Sequence, residues 1–191
     1  MYWDDIAAYV PQNEAEAGDK AMFLEYLRRF PDSLLSRDNK IAHLTASGFV
    51  VSADGTKVLM ARHNLYRAWA WTGGHADGDP GLLSVALREA REETGAEHVQ
   101  PLSPAIASLD ILPVWGHVKR GAWVPSHQHL NVTYLLTADE TDPLRPREGE
   151  NTAVAWLPAD RLPELTGEWQ MDGIYAKLLD RARALLHLGR G

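Results

Sequence analysis

From Ile41 onward, apolar residues fall in short, strand-like runs. On either side of that region they recur at helical spacing. In the first forty residues Met22, Phe23, Leu27 and Phe30 recur at roughly one helical turn, and Pro31 ends the run. Asn13, with Glu16 three residues later, resembles a capping box at the start of that helix. The expected role is packing over part of the core; dimerisation or lidding a site is the alternative. Ile41 to Val51 and Lys57 to Arg62 read as two strands around the hairpin signal Asp54-Gly55. Ala68 to Thr72 is a third short strand entering Gly73-Gly74. Leu82 to Thr94 is predicted helical, with Leu83, Ala86, Leu87 and Ala90 as its apolar stripe and Gly95 just past its end.

Strand patterns return at Ile106 to Val114, Leu130 to Thr137 and Ala153 to Leu157, separated by loops that include Pro143 to Glu150. Met171 to Leu188 reads as a second amphipathic helix through Ile174, Leu178, Leu179 and Leu185. No repeat, linker or low-complexity tract divides the chain. The expectation is one α/β domain over residues 1–191, an α/β/α sandwich with a mixed sheet. Residues 1–40 would be a helical extension, 41–160 the core, and 170–191 a C-terminal helix.

Composition narrows the function. The chain has 191 residues, enough for one well-buried core, and no apolar run long enough to span a membrane. Its start, Met1-Tyr2-Trp3-Asp4-Asp5, is acidic where a signal peptide would be basic, so the expected location is cytoplasmic. The absence of cysteine excludes disulfides, thiolate nucleophiles and cysteine-based zinc sites. A net charge of −7 with no basic block gives no footprint for long nucleic acid. An acidic protein binds a phosphorylated small molecule most readily with a divalent cation between them.

The informative stretch is Gly73-Gly74-His75-Ala76-Asp77-Gly78-Asp79, followed by Arg88-Glu89-Ala90-Arg91-Glu92-Glu93-Thr94-Gly95-Ala96. At about 100° per helical residue, Glu92 and Glu93 lie roughly 60° and 40° to either side of Glu89. Three carboxylates on one narrow face repel one another, and such an oxygen-rich cluster suits Mg²⁺. A solvated, salt-bridged face is the competing reading, because Arg88 and Glu92 stand at i, i+4. The glycine pair favours a site, since it lets backbone approach a ligand just before the acidic helix.

These residues resemble the Nudix hydrolase family, whose box reads G-x5-E-x7-R-E-U-x-E-E-x-G-U with U a bulky aliphatic. Aligned from Gly74 without gaps, the chain matches at Gly74, Arg88, Glu89, Glu92, Glu93 and Gly95. It departs at Pro80, where the box has its first glutamate, and at the small residues Ala90 and Ala96. The resemblance implies a Nudix-type fold and hydrolysis of a diphosphate bond in a nucleoside diphosphate derivative or similar small substrate. It implies Mg²⁺ as cofactor, with Mn²⁺ able to substitute. Glu92 and Glu93 would bind the metal, with Glu89 a further ligand or the base for the attacking water. Arg88 would orient these carboxylates, and the Gly74 carbonyl would complete the shell. Asp79 or Asp77 is the candidate replacement for the missing glutamate. From the later loop Glu150 is the candidate acidic residue, with Glu148 second.

Gly-His-Ala-Asp-Gly and His127-Gln128-His129 are similar to a bacterial subgroup of unassigned substrate. His127 and His129 alternate, so both should face one side of a sheet, where they could serve metal, phosphate or base recognition. Trp69 and Trp71, beside the glycine pair, could stack on a base or pack in the core. Trp115, Trp123 and His117 mark a segment where a substrate loop could lie. Two other functions fit this fold: a non-catalytic nucleotide-sensing module, which Pro80 favours, and an isoprenoid diphosphate isomerase, which would need a cysteine the chain lacks. A homodimer is compatible with the sequence.

Overall fold

The structure, a computed structural model, describes residues 2–64, 67–119 and 121–188. Two helices lead in, α1 (Tyr2–Ala8) and α2 (Glu14–Arg29). The strands are β1 (Ala42–Val51), β2 (Lys57–His63), β3 (Trp69–Ala70) and β4 (Thr72–His75), followed by helix α3 (Leu82–Thr94). Then come β5 (Gln100–Pro101), β6 (Ser108–Val114), β7 (His117–Lys119), β8 (Ala122–Val124), β9 (His127–Thr137) and β10 (Asn151–Pro158). Helices α4 (Leu162–Thr166) and α5 (Trp169–Leu188) finish the described chain. No helix among the described residues is long and apolar enough to cross a membrane.

The sheet runs β10-β2-β1-β9-β5, with β4 sharing an edge of β1 and β6 sharing an edge of β9. At its centre β1 and β9 pair in parallel along ten residues, from Ala42 opposite Gln128 to Val51 opposite Thr137. The other main-sheet pairs are antiparallel, so the sheet is mixed. Every residue of β1 is buried, because helices cover both of its faces. One face sends Leu44, Ala46 and Val50 into a cluster with Val85, Ala86 and Ala90 of α3. The other sends Phe49 and Val51 against Tyr175, Leu178 and Ala182 of α5. Further along that second face the odd positions turn polar: His43, Thr45 and Ser47, all buried.

Several elements differ from the sequence expectations. The lead-in contains two helices; the second is closed by Phe30, whose N–H bonds the Tyr26 carbonyl, one residue before Pro31. Asn13 is the N-cap, accepting from the Glu16 amide at 2.9 Å, but Glu16 does not complete a capping box. Its carboxylate instead accepts from the Gln12 amide at 2.9 Å and the Tyr9 hydroxyl at 2.8 Å. It also pairs with Arg181 at 2.7 Å and Lys177 at 3.0 Å on α5. Burial would raise the Glu16 pKa, yet bonds from Arg181, Gln12, Tyr9 and Lys177 hold it down at about 2. This ion cluster ties the lead-in to the last helix.

The third predicted strand is split into β3 and β4, which turn from β2 to β1 around Trp71. The stripe of α3 is centred on Leu82, Val85, Ala86 and Ala90, with Leu83 and Leu87 at its margins. Strand β9 starts at His127, three residues earlier than the apolar run.

Candidate active site

Strand β4 lies on β1 with Gly74 opposite Ala46, and α3 packs directly beneath it. A Cβ built on Gly74 would stand 2.5 Å from Glu89 Cδ and 2.7 Å from its Oε1. Glycine leaves room here for the carboxylate end of Glu89, which occupies the space a side chain would fill. One residue earlier, the Gly73 N–H donates to Glu93 Oε1 at 2.9 Å. Asn151, at the start of β10, donates to Glu93 Oε2 at 3.3 Å. Helix α3 is closed by Gly95, whose φ of 74° places it in the left-handed region. Ala90 and Ala96, small at positions where the family box has bulky aliphatics, are both fully buried.

The carboxylates converge on one guanidinium. Arg147 Nη1 is 3.3 Å from Glu89 Oε2 and 3.1 Å from Glu92 Oε2, and its Nε is 3.3 Å from Glu150 Oε2. Arg147 thus stands as a cation where three acidic side chains from α3 and the loop before β10 meet. Burial pushes the Glu93 carboxyl up to about 7, helped by the negative charges of Glu89 and Glu150 and opposed by the Gly73 amide and Asn151. Burial and the neighbouring Glu92 also raise Glu89, against Arg88 and Arg147. Both carboxyls, Glu93 buried and Glu89 half-buried, are therefore reluctant to ionise in the protein alone.

The structure therefore brings Glu89, Glu92, Glu93, Gly74 and Glu150 together. Arg88 lies at the margin, 3.4 Å from Glu89 and 3.6 Å from Asp79. The Arg88–Glu92 pair that helical spacing allowed is replaced by Glu92–Arg147, which removes the simple salt-bridged face. Pro80 is exposed in the loop before α3. Asp79 neighbours Arg88, whereas Asp77 is turned away into a bidentate bond with Arg37 at 2.7 and 2.5 Å. Glu148 is exposed, and Arg147 takes Glu150 as its partner from that loop.

His127 and His129 do face one side, with their Nε2 atoms 3.3 Å apart. They belong to a different cluster, with His43 and His75. Burial, reinforced by neighbouring positive and histidine groups, lowers His75 to about 3 and His129 to about 2. Trp71 is half-buried and meets Tyr175 of α5 edge-on at 5.6 Å, and Trp69 packs in the same cluster. Trp115 and Trp123 are exposed, flanking or within the β7–β8 ribbon.

Sequence reasoning missed Arg147, Asn151, His43 and His75 as members of these clusters. Arg147 stands at i, i+3 from Glu150, a faint signal in a loop. The others are joined by strand register, which a single sequence does not reveal.

Comparison with known proteins gives the family and the fold. A family model described as NUDIX domain matches residues 42–178. The m7GpppN-mRNA hydrolase NUDT17 of Danio rerio is 33% identical over 100 residues, covering 48% of this chain and 32% of its own. The chain thus spans about a third of that relative's length. Among solved structures, a C. elegans Ap4A hydrolase binary complex superposes with a TM-score of 0.50 at 14% identity, covering 70% of this chain and 93% of that one. The E. coli dihydroneopterin triphosphate pyrophosphohydrolase superposes with a TM-score of 0.50 at 15% identity, covering 73% and 96%. At these identities the two superpositions speak for the fold.

Proposed function

Because the chain belongs to the NUDIX domain family, we propose that it hydrolyses a diphosphate bond in a nucleoside diphosphate derivative or similar small phosphorylated compound, with Mg²⁺ as cofactor. The observation that carries this reading is the convergence of Glu89, Glu92 and Glu150 on the Arg147 guanidinium, with Glu93 buried alongside under the Gly73 amide. The donor set is all oxygen and strongly anionic, which fits Mg²⁺ and tolerates Mn²⁺. The relative from Danio rerio, an m7GpppN-mRNA hydrolase, supports chemistry at a phosphate anhydride.

In this reading Glu92, Glu93, Glu150 and the Gly74 carbonyl would hold the metal. When bound, Mg²⁺ supplies charge neutralisation for the diphosphate and makes a nearby water more acidic. Glu89 accepts a proton from the attacking water; its half-buried carboxyl, raised above the ordinary carboxylate range, suits that role. Water oxygen bonds to one phosphorus in line as the bridging P–O bond breaks, and the second phosphate leaves with that electron pair. Arg88 orients Glu89. Arg147, held between Glu89, Glu92 and Glu150, would be available to pair with a substrate phosphate. Trp71, His127 and His129 lie on the opposite face of the sheet from α3, away from these carboxylates, and take no part in this step.

The test is a panel of nucleoside diphosphate derivatives incubated with Mg²⁺, reading phosphate released after a coupled phosphatase. Wild type is expected to cleave at least one class, and Glu92→Gln to lose most of that turnover. The exposed Pro80, where the family has a glutamate, favours one other reading, a sensing module. Calorimetric binding of a panel member without any cleavage would establish that reading and refute hydrolysis.

A further inference from the structure

The polar end of the sheet face opposite α3 holds four imidazoles. In the central parallel pair His43 stands opposite His129. On the other edge of β1, His75 stands opposite Thr45, two residues along from His43 and on the same face. Strands β9 and β4 thus each place a histidine beside His43, and His127 follows two residues before His129. Ring centroids are 5.0 Å apart for His43–His75, 5.1 Å for His43–His129, 4.9 Å for His75–His129 and 4.8 Å for His43–His127.

We propose that His43, His75 and His129, with His127 at the rim, bind a zinc-class divalent transition-metal ion at a site separate from the acidic centre. One nitrogen from each of the first three rings lies within 4.8 Å of the others. Ideal tetrahedral coordination at about 2.0–2.1 Å places ligand nitrogens roughly 3.3 Å apart. The His127–His129 pair already stands at 3.3 Å, and His43 and His75 each offer a nitrogen within 4.8 Å of His129.

Two of the rings have their proton positions fixed by backbone. His43 Nδ1 is 3.1 Å from the Asn39 carbonyl, and His127 Nδ1 is 2.9 Å from the Pro125 carbonyl. A carbonyl can only accept, so each Nδ1 carries the hydrogen and each Nε2 keeps its lone pair. Such carbonyl-anchored imidazoles are the usual outer support of a metal ligand. The residue His43 is 4% exposed, and its Nε2 is buried without a hydrogen-bond partner. An orphaned buried acceptor is destabilising, and a cation at the centre of the rings would remove that cost.

The chemistry of the two sites differs. An all-imidazole set suits zinc, copper, nickel or cobalt, whereas Mg²⁺ prefers the carboxylates around Glu89. Both sites touch β4: Gly74 lies against Glu89, and His75 projects from the opposite face. This inference rests on no step of the proposed hydrolysis.

The experiment uses the full chain, stripped with chelator and loaded with Co²⁺ as a spectroscopic probe in a large excess of Mg²⁺. We expect one Co²⁺ to remain per chain, with the strong visible absorption of a four-coordinate nitrogen set, and Zn²⁺ to displace it. His43→Gln and His129→Gln should each weaken retention at least about tenfold, while Glu92→Gln leaves it unchanged. Failure of the wild type to retain Co²⁺ or Zn²⁺ overturns the proposal. Loss in Glu92→Gln with retention in both histidine variants also overturns it, by assigning the ion to the acidic centre. Should the buried histidine variants not fold, ¹⁵N-histidine spectra of the wild type decide the matter. Stoichiometric Zn²⁺ must move the Nε2 resonances of His43 and His129, and unmoved resonances refute the site.

Discussion

Glu93 offers a perturbation whose effects on stability and on activity have opposite signs. It is 7% exposed, and its carboxyl titrates near 7 against an ordinary 4.5. A carboxyl raised in the folded state binds more protons folded than unfolded between those two values. Stability therefore falls as pH rises through that window. At ~1.4 kcal/mol per pH unit, the ionised group withholds about 3 kcal/mol from the metal-free protein above pH 7. Glu93→Gln removes the charge but keeps an acceptor for the Gly73 amide. The buried Asn151 Oδ1, which has no partner, can accept from the new amide after the Asn151 side chain flips. In chelator at pH 8 the variant should melt higher by roughly 6–12 °C, at ~2–4 °C per kcal/mol for a domain of this size. The gain should shrink toward zero near pH 5. With Mg²⁺ the order should narrow or reverse, since only wild type gains a ligand for the cation. Turnover should fall at least ~10²-fold. Thermal melts across pH 5–8 with and without chelator test this. A variant no more stable than wild type at pH 8, with a difference independent of pH, would refute the burial argument.

Four other outcomes follow from the same geometry. Gly74→Ala drives a methyl into the far end of Glu89, so stability should move by less than ~1 kcal/mol while turnover drops ~10-fold or more; melts beside an activity assay check both. Glu16→Gln leaves Arg181 half-buried without its carboxylate, while Lys177 keeps Asp110, and should cost about 3 kcal/mol at pH 7 by denaturant unfolding. Because the Glu16 pKa is depressed, that contribution is full above 4.5 and lost as pH falls through about 2, so mutant and wild-type stabilities should converge in acid. Glu150→Gln should lower turnover with the metal-free fold intact, whereas Glu148→Gln should not; the reverse result would move the loop assignment. Asp79→Asn should lower the rate detectably through Arg88, and Asp77→Asn, bound to Arg37, should leave kcat as it is.

The strands and helices of the core were legible because burial imposed clear periods on them. Strand β1 reads as a continuous run because helices cover both faces, and α3 reads as amphipathic because one side meets the sheet. The ribbon of β7 and β8 lay hidden because, among the described residues, it pairs only with itself and leaves Val118 and Trp123 63% and 67% exposed. Helix α1 was missed because it buries only Tyr2 and Ile6 across seven residues, too few to show a period. Within the site, Glu89, Glu92 and Glu93 were visible because one helix carries all three. Arg147 and Asn151 reach them from 58 residues away, and that proximity is a product of the fold. Alternation showed that His127 and His129 share a face. Which histidines stand opposite them depends on the pairing of β1 with β9, which no local pattern encodes.

That pairing also governs how the chain is made. Strand β1 finds β2 and β4 within thirty residues of itself, but its other edge is filled only by β9. At about 5–20 residues per second, synthesis from residue 51 to residue 137 takes on the order of 4–17 s. Throughout that interval the apolar run Phe49-Val50-Val51 carries an unsatisfied strand edge, the arrangement that invites pairing with a neighbouring nascent chain. Closing so long a loop is also slow once the partner has emerged. Soluble yield should therefore respond more to slower initiation or to a chaperone that shields extended strands than to substitutions on the finished surface.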